Sequence, residues 1–195
     1  MDQQQKQKVM LGLVGVLALG AGAMFFRQPK LVFENRLTDI VTVQVGSEER
    51  RILPGGSFDL KLQRGRRLAL SWQLVSRLGV SLGDTVTVTQ PHGTIHLAAT
   101  ARPTHGAYFA PVITNESGRP LTITVNAGLT GSMRCGCTIP PGAVRMAIGY
   151  YPLFENSTVR AEDNAAHSAT FRDLGPQVEA VHGIVGLLFR AEDLK

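Results

Sequence analysis

One pattern is written twice in this chain, and it leaves room for little besides β structure. Leu31 to Val45 reads LVFENRLTDIVTVQV and Pro111 to Val125 reads PVITNESGRPLTITV; Asn35 aligns with Asn115, Val41 with Leu121, Val43 with Ile123 and Val45 with Val125, all at an offset of 80 residues. A Pro-Gly pair follows each copy, Pro54-Gly55 in ILPGGSFDLKL and Pro141-Gly142 in TIPPGAVRMAI. Their offset is 87, so the second copy carries about seven extra residues in its hairpin. Self-similarity over such a period is the mark of a duplicated structural unit. Within each copy, Val41-Thr42-Val43-Gln44-Val45 and Leu121-Thr122-Ile123-Thr124-Val125 alternate apolar with polar. A period of two puts one face in a core and the other in solvent. The Pro-Gly pairs are turn chemistry, since Pro presets φ and Gly supplies φ > 0.

Further strands are expected at Leu68 to Val75, Thr85 to Thr89 and Thr94 to Ala98 in the first copy. In the second they are expected at Met146 to Phe154, Ser168 to Phe171 and Val185 to Ala191, with a turn at Glu155-Asn156-Ser157. Trp72 lies mid-strand and reads as core. Six or seven strands per copy with frequent turns predict a mainly β chain of two related sandwiches or barrels. The 195 residues divide into an N-terminal tail (1–8), an apolar helix (9–26), a first β domain (27–105) and a second (106–195).

From Val9 to Phe26 the chain runs for eighteen residues without a charged or strongly polar side chain. As a helix this spans about 27 Å, close to the bilayer core of roughly 30 Å. Lys6 and Lys8 precede it, Arg27 and Lys30 follow, and Pro29 helps stop the helix. The competing reading is a signal peptide cleaved before Met24, because Ala21-Gly22-Ala23 has a small-x-small pattern. The run exceeds the usual h-region, so a retained single-pass anchor is the expectation. The flanking charges are nearly balanced; the orientation expected is N-terminus cytoplasmic with the β domains on the periplasmic or extracellular side. Gly15, Ala18 and Gly22 share one helix face and would allow close packing of another helix.

The formal net charge is +5. Residues 1–29 hold three basic against one acidic residue, 30–105 ten against six, and 106–195 seven against eight. The densest run is Lys61, Arg64, Arg66 and Arg67, expected as a hairpin loop at one end of the first domain. It reads either as a solvated face or as a docking loop for anionic lipid or an acidic neighbour. Nucleic acid is not an expected partner, because aromatic interleaving and reader motifs are missing from this region.

Catalytic chemistry finds little purchase. H-E-x-x-H, G-x-S-x-G, G-x-G-x-x-G and Walker patterns do not occur, and no cofactor or metal is expected. Cys135-Gly136-Cys137 leaves three options open: free thiols, a local or intermolecular disulfide, or a redox or metal role. His92, His96, His105, His167 and His182 read as surface or satisfied side chains, and Glu162-Asp163 and Glu192-Asp193 as solvated turns. Asn115-Glu-Ser117 and Asn156-Ser-Thr158 match the glycosylation acceptor pattern.

The run N-x-L-T-D-x-V-T-V-x-V followed by P-G-G-S, from Asn35 to Ser57, resembles the opening hairpins of bacterial immunoglobulin-like modules, including those attached to envelope proteins. The resemblance covers about 25 residues of the first copy and less of the second, and the paired cysteines of antibody-type domains are missing. It implies immunoglobulin-like sandwiches and an accessory role in a larger membrane complex; bacterial photosynthetic reaction-centre assemblies include such subunits. The function expected is a non-catalytic, membrane-anchored scaffold whose partners are the subunits of a membrane complex and, through residues 9–26, the bilayer. The alternatives are a thiol-redox or metal-handling envelope protein using Cys135 and Cys137, or an independent ligand-binding envelope module.

Overall fold

A computed structural model describes residues 28–63, 67–76, 80–89, 93–127 and 132–195. Residues 9–26, with Gly15, Ala18 and Gly22, lie outside the described residues, as do Arg64 and Arg66. Among the described residues no helix is long and apolar enough to cross a membrane. The chain there is mainly β.

The first copy of the repeat forms β1 (Lys30–Asn35), β2 (Val41–Val45), β3 (Glu48–Ile52), β4 (Ser57–Lys61), β5 (Leu68–Val75), β6 (Ser81–Val88) and β7 (Thr94–Ala99). They make a three-stranded sheet, β4-β1-β7, and a four-stranded sheet, β3-β2-β5-β6. Both sheets turn their apolar residues onto one core: Leu31 and Phe33 from one, Val41, Val43, Leu70, Trp72 and Leu74 from the other. The arrangement is sandwich-like, with two separate sheets in place of a closed barrel. The alternation read at Val41 to Val45 works as expected at its start, where Val41 and Val43 are buried and Thr42 faces outward. The expected hairpin at Gln63 to Arg67 is corrected. β4 and β5 belong to different sheets, so this connection crosses from one to the other.

The second copy reuses the plan with β8 (Tyr108–Glu116), β9 (Leu121–Asn126), β10 (Ser132–Ile139), β11 (Met146–Ala147), β12 (Tyr151–Pro152), β13 (Thr158–Glu162), β14 (Ser168–Phe171) and β15 (Ile184–Arg190). β8 takes the place of β1, pairing antiparallel with β11 and parallel with β15 as β1 pairs with β4 and β7. The facing sheet runs β10-β9-β13-β14. The single strand expected from Met146 to Phe154 is broken into β11 and β12. Pro111 of β8 lies between their pairing positions, and its carbonyl accepts from Ile148 N at 3.3 Å on that edge. In an extended strand the nitrogen of the same residue faces the same way, and proline has no hydrogen to return. The partner strand therefore breaks there, passing through Gly149 at φ +97°.

The repeated asparagine is what makes the two copies alike in detail. Asn35 is buried and donates from Nδ2 to the carbonyls of Asp39 (2.8 Å) and Ile52 (2.9 Å), while its Oδ1 accepts from Leu37 N. Asn115 donates in the same way to Arg119 (2.8 Å) and Ile139 (3.1 Å), and its Oδ1 accepts from Ser117 N. Main-chain bonds from Gly55 N to Asn35 O and from Gly142 N to Asn115 O complete the match, both at 2.9 Å. Each asparagine thus staples the end of a first strand to the Pro-Gly turn. Asn115 is 0% exposed, so its glycosylation pattern is not an acceptor in the folded chain; Asn156 is exposed.

Candidate functional site

Strand directions set how the two repeats meet. β1 and β7 run from the end holding Pro29 toward Asn35 and Ala99, and β8 starts from the segment that follows β7. The far end of the first repeat therefore abuts the near end of the second. Tyr150 and Tyr151 are the hinge pins of this junction. Neighbours in an extended segment point to opposite sides. Tyr150 accordingly packs in the core of the first repeat and Tyr151 in that of the second, and both are 0% exposed.

The two phenols differ in what they find. The Tyr150 hydroxyl accepts from Thr38 N (3.0 Å) and Thr38 Oγ1 (3.2 Å) and donates to His182 O (2.8 Å). One donation and two acceptances are all a hydroxyl can make. Burial raises its pKa, against the opposing pull of the Thr38 hydrogen bonds. The Tyr151 hydroxyl has no hydrogen-bond partner, and burial alone pushes its pKa up to about 12.

Around Tyr150 the backbones come very close. Gly183 has φ +71°, and a Cβ there would sit 2.5 Å from Ala101 Cβ and 2.9 Å from Tyr108 O. Ala101 N donates to Val181 O at 3.0 Å and Ala110 N to Gly183 O at 2.8 Å. The Glu179 carboxylate accepts from Val181 N (2.9 Å) and His182 N (2.6 Å), shaping the turn that presents His182 O to Tyr150. Burial works to raise the Glu179 pKa, but these bonds and the His182 ring outweigh it and the net shift is downward. On the opposite flank Asp84 accepts from Thr104 Oγ1 (2.6 Å) and Thr104 N (3.0 Å), tying β6 to the segment joining the repeats.

The junction leaves a cleft of about 280 Å³ lined by Thr38 and Asp39 of the first repeat and by Cys135, Cys137 and Met146 to Tyr150 of the second. Cys135 and Cys137 form a disulfide on its wall, both half-buried. The β9–β10 register shifts between Arg134 and Thr138, so the Cys-Gly-Cys unit is a bulge. No set of three or more His, Cys, Asp or Glu side chains able to hold a metal occurs among the described residues.

The remaining predicted residues lie elsewhere. Lys61 ends β4 and Arg67 precedes β5; both are exposed at the Pro29 end of the first repeat, remote in the strand order from the cleft. The reading of Glu162-Asp163 as a solvated turn is corrected for Asp163, whose side chain is 2% exposed. It accepts from Arg119 Nη1 (2.6 Å), Ala165 N (2.9 Å) and His167 N (2.9 Å). The Arg119 guanidinium beside it, with these bonds, holds its carboxyl well below the usual carboxylate range, although burial alone would raise it. Tyr150 and Gly183 carry no sequence signal that distinguishes them from any core tyrosine or turn glycine. Their importance comes from two elements more than thirty residues apart converging on one point.

No protein-family model matches the chain, and no curated protein does. Among solved structures the fold is similar to a candidate adhesin from Bacteroides ovatus, at 11% identity over 84% of this chain and 87% of that one, with a TM-score of 0.38. It is also similar to the Bacillus anthracis TIE protein, at 8% identity over 84% of this chain and a TM-score of 0.29; the chain spans 34% of the length of that protein.

Proposed function

We propose that this chain is a non-catalytic scaffold subunit: a tether at residues 9–26 carrying two immunoglobulin-like sandwiches that bind and stabilise the subunits of a membrane protein complex. The observation that carries this reading is the end-to-end stacking of the repeats, with Tyr150 of one buried in the core of the other. A rigid stack starting at the tether holds its far loops at a set height above the membrane. That is a geometry suited to bracing neighbours. The oxidised Cys135–Cys137 pair favours placement of the repeats in an oxidising, periplasmic or extracellular compartment. Purification in mild detergent followed by native mass spectrometry should recover defined membrane partners, a photosynthetic reaction centre being one complex of the kind implied. A lone monomer across several mild detergents would refute the reading.

A second reading rests on the disulfide lining an open cleft. A bridge across a single intervening residue is more readily reduced than a long-range one, which suits thiol exchange with a protein dithiol. Cys135→Ser with Cys137→Ser then abolishes exchange in an insulin-reduction assay. Under the scaffold reading the double variant keeps its partners and loses only local stability.

A further inference from the structure

We propose that the Pro29 end of the first repeat is a docking face for anionic lipid headgroups, built around Lys61 and Arg67. This rests on the reading of residues 9–26 as a membrane tether. Phe26 and Lys30 are four residues apart, so Lys30 lies no more than about 14 Å from the end of the apolar run. The interfacial layer is roughly 5–8 Å deep on each side of the hydrocarbon core. An inserted tether therefore brings the end of the sandwich against the headgroups by chain length alone.

What the sheet presents there is positive. Lys30 of β1 stands opposite Lys61 of β4 and beside Thr94 of β7. Directly opposed residues share a face, and so do residues two apart in a strand. Asp59 therefore lies on the same face and takes Lys30 as its partner, which leaves Lys61 as the uncompensated charge of the opposed pair. Leu62 N donates to Pro29 O at 2.8 Å, fixing the start of the β4–β5 connection against the point where the tether emerges. Arg67 closes the same connection and is exposed. The acids at this end are Glu48, Glu49 and Asp59; Glu48 pairs with Arg50 at 3.0 Å and Asp59 with Lys30 at 2.5 Å. Among the described residues Lys61 and Arg67 have no carboxylate partner. Arg64 and Arg66 lie between them in sequence, outside the described residues, and the face is defined without them. Each basic side chain near an anionic surface shifts the docked equilibrium about fivefold, since about 1 kcal/mol applies per charge.

The chain supplies its own probe. Lys61 is exposed at this end, and Lys195 is exposed at the opposite end of the second repeat, where its backbone pairs with Ser168. The full chain is reconstituted into vesicles of phosphatidylcholine alone or with 30% phosphatidylglycerol, and lysine acetylation rates are read by mass spectrometry. The expected result is a several-fold slowing of Lys61 relative to Lys195 only in the anionic vesicles, reversed by 0.5 M salt. Arg67→Gln should remove most of this protection. A Lys61 to Lys195 ratio that is the same in both lipids across the salt series overturns the docking face while leaving the tether standing. So does protection of Lys61 that is equal in both lipids and insensitive to salt. If carbonate washing strips the chain from both kinds of vesicle, the tether fails and the docking face falls with it.

Discussion

Replacing Tyr150 by Phe tests whether the two repeats are one cooperative unit. The variant keeps the ring in the first-repeat core and removes only the hydroxyl that accepts from Thr38 and donates to His182 O. A buried group left without its partner costs about 1–3 kcal/mol. Thr38 is exposed, so water can take over its donors, while the His182 carbonyl is part-buried. The expected loss is therefore about 1–2 kcal/mol, or roughly 2–8 °C in Tm for a unit of this size. Tyr151→Phe is the matched control. Its hydroxyl is equally buried but has no hydrogen bond to lose, so removing it should leave stability unchanged or slightly raised. The assay is thermal and urea unfolding of the full chain in mild detergent, followed by intrinsic fluorescence, since Trp72 reports on the first core. If Tyr151→Phe destabilises as much as Tyr150→Phe, the assignment of the junction to the Tyr150 hydroxyl is wrong.

Gly183→Ala should cost more than about 2 kcal/mol, because φ +71° and the close approach of Ala101 and Tyr108 both oppose a Cβ. Gly186→Ala meets nothing within 4 Å and should stay within about 0.5 kcal/mol in the same melts. Asn35→Ala and Asn115→Ala should each cost about 2–3 kcal/mol by urea titration, since each strands one buried carbonyl (Ile52 O or Ile139 O), one buried amide and at least one part-buried carbonyl. In a glycosylating host Asn156 alone of the two acceptor patterns should carry glycan by mass spectrometry. The folded pKa of Asp163 is depressed, so its stabilising contribution is present above the unfolded carboxylate pKa near 3.9 and lost as pH falls toward the folded value. Asp163→Asn should lower stability at pH 7 and flatten its decline between pH 5 and 2. An unchanged acid limb would show that the Arg119 pairing does not persist in solution.

Much of the β framework was legible from local pattern. Alternation at Val41 to Val45 and Leu121 to Val125 marks β2 and β9, because one buried face imposes period two on the side chains. Leu68 to Val75 matches β5 and Ser168 to Phe171 matches β14 at both boundaries. β3 escaped notice: Glu48 to Arg51 are all exposed, so the strand is held by main-chain pairing to β2 and leaves no apolar mark. β13 was also missed, since Val159 and Ala161 are too few and too small to stand out from a polar stretch.

What the sequence by itself determined is the class of structure and its duplication: which residues face a core, where the turns fall, and that Asn35 and Asn115 occupy equivalent places. These are decided within a few residues by side-chain period, proline and glycine. What only the tertiary structure decided is the use of those parts. Asp163 is buried because Arg119 reaches it from 44 positions away. Tyr150 and Tyr151 divide between two cores because the repeats stack end to end. Lys30, Lys61 and Thr94 meet at one edge because β1 pairs antiparallel with β4 and parallel with β7. Each depends on pairing between strands distant in the chain, and a period-two pattern says which face a residue takes but carries no record of which strand lies beside it.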